Sequence, residues 1–226
     1  MLLPGSLCDQ RLFSAQIDYF SRFREVQVGN FLGCDSISGM ATKMLAEGAP
    51  KFALAGLSMG GIVAFEMYRQ APQRIDRLAF LDTNPSAELA ERVTLRRRQS
   101  QHIAEGGDLA EFTRIELLPK YARSQAHRTL LEPLVLSMAN AAGGAEFVNQ
   151  WRALECRPDS WSTLSRIACP TLILCGADDT LCSVELHRKM ADQISGGHLE
   201  IITHAGHLCT LDAPEAVNRA LHRWLA

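Results

Sequence analysis

The sequence predicts an α/β fold: a mostly parallel central sheet flanked by helices, with a helical lid inserted part-way along. Three observations point to it. Short apolar runs rich in β-formers alternate with longer segments of helical period, the pattern of strand-helix-strand units around a parallel sheet. The alternation stops after about residue 85 and resumes near 166. The stretch between them has helical periodicity throughout and no convincing strand. It is punctuated by Gly106-Gly107, Pro119, Pro133, Gly143-Gly144 and Pro158. Residues 1–85 and 166–226 are therefore expected to form the core, and 86–165 the helical insertion.

In chain order, Leu2-Leu3 reads as the stub of a strand, followed by a helix from Gln10 to Phe23. Glu25 to Val28 reads as a strand and Ile37 to Glu47 as a helix. The apolar run Lys51 to Leu57 is a strand that gives way to a helix from Met59 to Gln70. Strands are expected at Arg77 to Leu81, Thr171 to Cys175 and Leu199 to Ile202, with helices at Val184 to Ile194 and Pro214 to Leu225. No repeat or low-complexity segment interrupts this order.

Composition narrows the partners. A chain of 226 residues, 47% hydrophobic and 21% charged, is long enough for one well-buried domain. A net charge of −2 offers no basic field for nucleic acid. Arg96-Arg97-Arg98, the basic run, reads as a solvated helix face. No apolar stretch reaches the roughly 20 residues of a bilayer span, so no membrane partner is expected. The opening Met1-Leu2-Leu3-Pro4-Gly5 lacks the charged leader and apolar region of a signal peptide. Seven scattered cysteines, odd in number and without a CxxC pair, suit reduced thiols in a cytoplasmic protein.

The chemistry begins at Gly56-Leu57-Ser58-Met59-Gly60, followed by Gly61. A strand that turns abruptly into a helix forces its corner residue into a strained backbone conformation. Glycines two before and two after leave room for the tight crossing. Ser58 is then exposed at the carboxyl edge of the sheet. The Met59 N–H, at the helix start, points where an oxyanion would form.

A serine hydroxyl needs a base within hydrogen-bond reach. His207, in Thr203-His204-Ala205-Gly206-His207-Leu208, follows the last strand and can swing over the sheet edge. His204 shares that loop and is its rival, but Gly206 gives His207 the flexible approach. His187 and His222 lie in helical patterns and read as surface residues. His102 and His127 fall in the insertion, and His198 precedes a strand. The orienting carboxylate should follow a strand between the serine and the histidine. Gly176-Ala177-Asp178-Asp179 offers two, with Asp179 further into the loop and Asp178 better placed as a brace. Asp82, in Asp82-Thr83-Asn84-Pro85, reads more as a turn residue.

On these three motifs, in the order Ser, Asp, His, the chain resembles the α/β-hydrolase superfamily, of the lid-bearing serine esterase and carbon–carbon hydrolase type. Leu211-Asp212-Ala213-Pro214-Glu215-Ala216-Val217 is similar to the family's last helix, and the likeness covers nearly the whole chain. The resemblance places the acid at the third position after the glycine, Asp179. It also implies a second oxyanion donor after the first central strand, where the family commonly has His-Gly. Here Pro4-Gly5-Ser6 takes that place, so the donor becomes the Ser6 N–H and a side-chain role at position 4 falls away. The resemblance would place the family's usual first two strands ahead of Leu2, where the sequence opens.

The expected activity is hydrolysis of a small ester, thioester or lactone through an acyl-enzyme. The expected site is Ser58, Asp179 and His207, with Ser6 and Met59 N–H groups as the oxyanion hole and no metal or organic cofactor. The alternatives are a carbon–carbon hydrolase, lyase or acyltransferase on the same triad, and a non-catalytic binding protein that kept the fold. A serine at position 58 argues against dehalogenases and epoxide hydrolases, which use an aspartate there. Phe112, Leu117, Leu118, Met138, Phe147 and Trp151 of the insertion are candidates to line an acyl pocket. Cys8, Cys182 and Cys209 fall near loops at the same edge.

Overall fold

The structure, a computed structural model, describes residues 1–122 and 124–226. Five parallel strands form one sheet in sequence order: β1 (Leu2–Leu3), β2 (Phe52–Leu57), β3 (Ile75–Leu81), β4 (Thr171–Gly176) and β5 (His198–Ile202). The helices in chain order are α1 (Ser14–Phe20), α2 (Ile37–Glu47), α3 (Met59–Gln70), α4 (Ala90–Ala104), α5 (Leu109–Phe112), α6 (Leu118–Tyr121), α7 (Gln125–Glu155), α8 (Trp161–Leu164), α9 (Val184–Gln193), α10 (Cys209–Asp212) and α11 (Pro214–Leu225).

The sheet is apolar on both faces because helices cover both, which is why its strands read as near-continuous hydrophobic runs. Successive side chains along a strand still part company. Leu78, Phe80 and Ile173 pack into a cluster with Met40, Met44, Phe65 and Met190 from α2, α3 and α9. Ala79, Leu81, Leu172 and Leu174 point the other way, against Leu12, Phe13, Phe20, Val217 and Leu221. Ser36 and Ser183 start α2 and α9 by accepting from the Gly39 and Leu186 N–H groups.

Two expectations change here. Glu25 to Val28 is not a full strand: only Leu2 and Val28 form a parallel bridge beyond β1. With β1 two residues long, it has little backbone to pair with a neighbour. The expected helix from Gln10 to Phe23 is a 3-10 turn, Gln10–Phe13, followed by the shorter α1.

Helices α4 to α8 run between β3 and β4, where the sequence turns uniformly helical. Helix α7 is broken at Gly143, whose φ of 81° is one that side chains disfavour. Past the break, Phe147 and Trp151 stack with ring centroids 4.1 Å apart, and Phe112 meets both edge-on. These aromatics join the same apolar cluster as the α1–α11 face of the sheet, so insertion and sheet share one core. Among the described residues no helix is long and apolar enough to cross a membrane.

Candidate active site

Ser58 sits between the end of β2 and the start of α3 with φ 54° and ψ −116°. A conformation this unusual for a non-glycine residue costs about 1–3 kcal/mol and persists only where its surroundings enforce it. Here the Ser58 N–H donates to the Leu81 carbonyl (2.9 Å), while the Ser58 carbonyl accepts from Gly61 and Ile62 N–H and from the Thr83 hydroxyl (2.6 Å). The glycines are required by closeness. A Cβ on Gly56 would lie 2.3 Å from the Gly60 carbonyl oxygen, and one on Gly60 would lie 2.1 Å from that of Leu3.

The imidazole of His207 lies between a hydroxyl and a carboxylate. Its Nε2 is 2.9 Å from Ser58 Oγ and its Nδ1 is 2.9 Å from Asp179 Oδ2. The other Asp179 oxygen accepts from the Leu181 and Cys182 N–H groups, a local turn that fixes the direction of the carboxylate. Tyr121 of α6 stacks on the His207 ring, centroids 5.5 Å apart and 16° from parallel. Asp212 holds the loop from behind by accepting from the Gly206 N–H at 2.7 Å. Burial of His207 favours its neutral form, but the carboxylates of Asp179, Asp82 and Asp212 outweigh that and raise its pKa.

Of the rival groups, Asp178 is exposed and His204 lies in the left-handed backbone region on the surface. Asp82 is more than a turn residue. It is fully buried, and its carboxylate accepts from the Gly176 N–H at 2.7 Å and the Cys209 N–H at 3.4 Å, tying the ends of β3 and β4 to the start of α10. Burial, and then the nearby Asp179 carboxylate, push its pKa up to about 7. His187 is likewise buried, not a surface residue. Its Nε2 accepts from the Thr83 N–H at 3.1 Å, so the proton sits on Nδ1 and meets the Ser183 carbonyl at 2.9 Å. Burial lowers its pKa and keeps it neutral.

The profile of the Alpha/beta hydrolase family matches residues 18–220. The chain belongs to this family. RutD of Escherichia coli O81 (strain ED1a), assigned as a carbamate hydrolase, is 28% identical over 84% of the chain and 73% of its own length. The (E)-2-((N-methylformamido)methylene)succinate hydrolase of Acinetobacter baylyi is 27% identical over 76% of the chain, which spans 64% of that protein. A thermophilic esterase from Thermogutta terrifontis, solved with malate bound, superposes with a TM-score of 0.85 at 28% identity. That match covers 99% of this chain and 88% of the other. The enol-lactonase of Burkholderia xenovorans LB400 shares the fold, with a TM-score of 0.83 at 16% identity, covering 99% of this chain and 90% of the other.

In this α/β-hydrolase, Ser58 and His207 open into a cavity of about 140 Å³. Ser6, Met59, Leu117, Tyr121, Trp151 and Cys182 are among its walls. The loop after β1 is pressed against the serine: a Cβ on Gly5 would be 3.4 Å from Ser58 Cβ. That loop is held by the insertion, since the Leu7 N–H, at a residue with φ 56°, donates to Gln150 Oε1 of α7 at 2.8 Å. Of the residues expected to line a pocket, Leu117 and Trp151 do so. Phe112, Leu118 and Phe147 instead pack in the core, and Met138 packs there while also lining a separate groove with Cys8.

Asp179, Cys182 and His207 bring ligand-type atoms close enough together to suggest a metal site. Their chemistry argues otherwise. Both Asp179 oxygens and both His207 nitrogens are already engaged. Burial and the Asp179 charge also raise the Cys182 pKa, opposing the thiolate that a metal binds.

Proposed function

We propose that the chain is a serine hydrolase that cleaves a small ester, thioester or lactone through an acyl-enzyme intermediate. The observation that carries this reading is the unbroken line of hydrogen bonds from Asp179 through His207 to Ser58 Oγ, ending in the cavity. Ser58 Oγ attacks the carbonyl carbon and His207 Nε2 takes its proton. The carbonyl oxygen, now an anion, is met by the N–H groups of Met59 and Ser6. Met59 lies in the first turn of α3, where main-chain donors lack a carbonyl within the helix. When the carbon–oxygen or carbon–sulfur bond breaks, the leaving group takes the proton from His207. Water, deprotonated by the same nitrogen, then splits the acyl-serine and restores the hydroxyl. Asp179 holds the imidazole in the tautomer with its proton on Nδ1 and stabilises the cation as it forms. The chemistry calls for no metal or organic cofactor.

Residues 86–165 act in this reading as a lid that excludes water and limits the acyl group. The cavity is well below the roughly 300–1,000 Å³ of pockets for drug-sized ligands, which favours a short acyl chain. The relatives with hydrolase names support the reaction class. Seven free cysteines fit a reducing, cytoplasmic setting.

A panel of p-nitrophenyl esters from acetate to octanoate, extended to thioesters and lactones, tests the reading. Turnover should favour the short members and vanish in Ser58→Ala. Equal turnover by Ser58→Ala would remove the serine from the mechanism.

A further inference from the structure

The wall that the insertion gives to the cavity is cationic. Arg92, Leu95, Arg96 and Gln99 of α4 all line it, at the spacing that puts four residues on one helix face. Lys120 and Arg157 complete the charged part, and no Asp or Glu is among the described lining residues. Arg97 and Arg98 are exposed, as a solvated basic run should be, but Arg96 turns inward.

The compensation of these charges is incomplete. A single buried carboxylate, Glu88, serves two guanidinium groups. Arg96 donates to it through Nε, and Arg157 through both Nη atoms at 3.3 Å. Arg157 is further held by the Ser86 carbonyl at 2.8 Å. Arg96 lies over the Trp151 ring, 5.1 Å from its centroid, and its Nη atoms have no hydrogen-bond partner among the described residues. Trp151 is itself fixed by donating to Gln99. Arg92 makes no ion pair among the described residues, and Lys120 meets only Glu116, at 3.6 Å with both side chains partly exposed. Two guanidinium groups with side chains only 17% and 6% exposed share one anion, and the excess positive charge this leaves is costly unless something neutralises it. A guanidinium with both Nη atoms unused presents the fork that matches a carboxylate.

We propose that the substrate is a short ester carrying a second carboxylate, bound by the Arg96 guanidinium with Arg92 beside it at the cavity rim. This rests on the hydrolase reading of Ser58 and adds its substrate class. Glu88 and Arg157 act as positioning residues: they hold the Arg96 stem while its outer nitrogens face the ligand. The smallness of the cavity limits the link between ester and carboxylate to a few carbons.

Monomethyl glutarate and methyl pentanoate, equal in chain length and different in charge, separate the possibilities. The wild-type protein should favour the anionic ester in kcat/KM by about 10–100-fold, the effect of a charge-assisted hydrogen bond. Arg96→Met should remove most of that preference. Arg92→Gln, at an exposed position without an ion pair, should lower it by a smaller factor and keeps the test open should Arg96→Met fail to fold. Measurable but equal kcat/KM for the two esters in the wild type, or a preference that survives in a folded Arg96→Met, would overturn the proposal. Calorimetric titration of Ser58→Ala with the same two esters isolates binding from chemistry. Tighter binding of the anionic ester supports the proposal even if the wild type turns over neither, an outcome that would count against the hydrolase reading alone. Equal binding overturns the proposal whatever the turnover.

Discussion

Ser58, His207, Asp179 and Asp82 share one small volume, and their charges set how the site responds to pH. Because three carboxylates raise the His207 pKa, the acid limb of kcat/KM should lie above the ordinary imidazole value of about 6.5. Below that limb His207 is protonated and cannot take the Ser58 proton. Asp179→Asn should lower turnover on the order of 10⁴-fold and move the limb to lower pH, while Asp178→Asn, at an exposed residue, should do neither. A pH–rate series on the three proteins checks this. Asp82 carries a separate consequence. Its folded pKa, about 7, lies above the unfolded carboxylate value of about 3.9. The stability this contributes is full below the unfolded value and is lost as pH rises through the folded one. Urea unfolding of Asp82→Asn should therefore show a shallower loss of stability between pH 4 and 7 than the wild type, roughly over the span of those two values. An identical slope in both proteins would mean that Asp82 is ionised in the fold like any surface acid.

The elements differ in how much of themselves the sequence discloses. Strands β2 to β4 were readable because burial on both faces leaves unbroken apolar runs, and the abrupt change to the α3 pattern marked the corner at Ser58. Val26-Gln27-Val28 has the β-branched alternation of a strand, yet forms a single bridge, because pairing depends on a partner strand that composition does not report. His187 shows the converse: a polar residue in an amphipathic helical pattern reads as exposed, whereas it is buried by a bond to Thr83, far away in sequence. The insertion disclosed its helices but not its inward face. Gln150 of α7 had no signal of its own, although it holds the Leu7 N–H and so the loop that carries Ser6. Gln150→Leu leaves that buried donor unsatisfied, which costs about 1–3 kcal/mol. Chemical denaturation should register this loss. Ester turnover should fall by more than KM rises if, as proposed, the Ser6 N–H acts on the oxyanion and not on the bound ester. An unchanged kcat would detach the insertion from the oxyanion loop.

Across the whole molecule, parallel strands bring their carboxyl ends to one edge, and binding sites of open α/β sheets form there. The loops after β1, β2, β4 and β5 meet at that edge, so Ser6, Ser58, Asp179 and His207, far apart along the chain, share one neighbourhood. Motif order made the three side chains legible in the sequence, as three loops of one sheet edge. The charge of the cavity was not legible. A net charge of −2 averages over a surface that hides a cationic wall, and Arg96 is indistinguishable in sequence from Arg97 and Arg98. The central claim is that Ser58 is a nucleophile activated by His207, and labelling with a fluorophosphonate probe tests it most directly. Folded protein should take up one adduct, mapped by peptide mass to Ser58, and heat-denatured protein or Ser58→Ala should take up none. Folded protein that stays unlabelled, or Ser58→Ala that labels as the wild type does, would contradict the account.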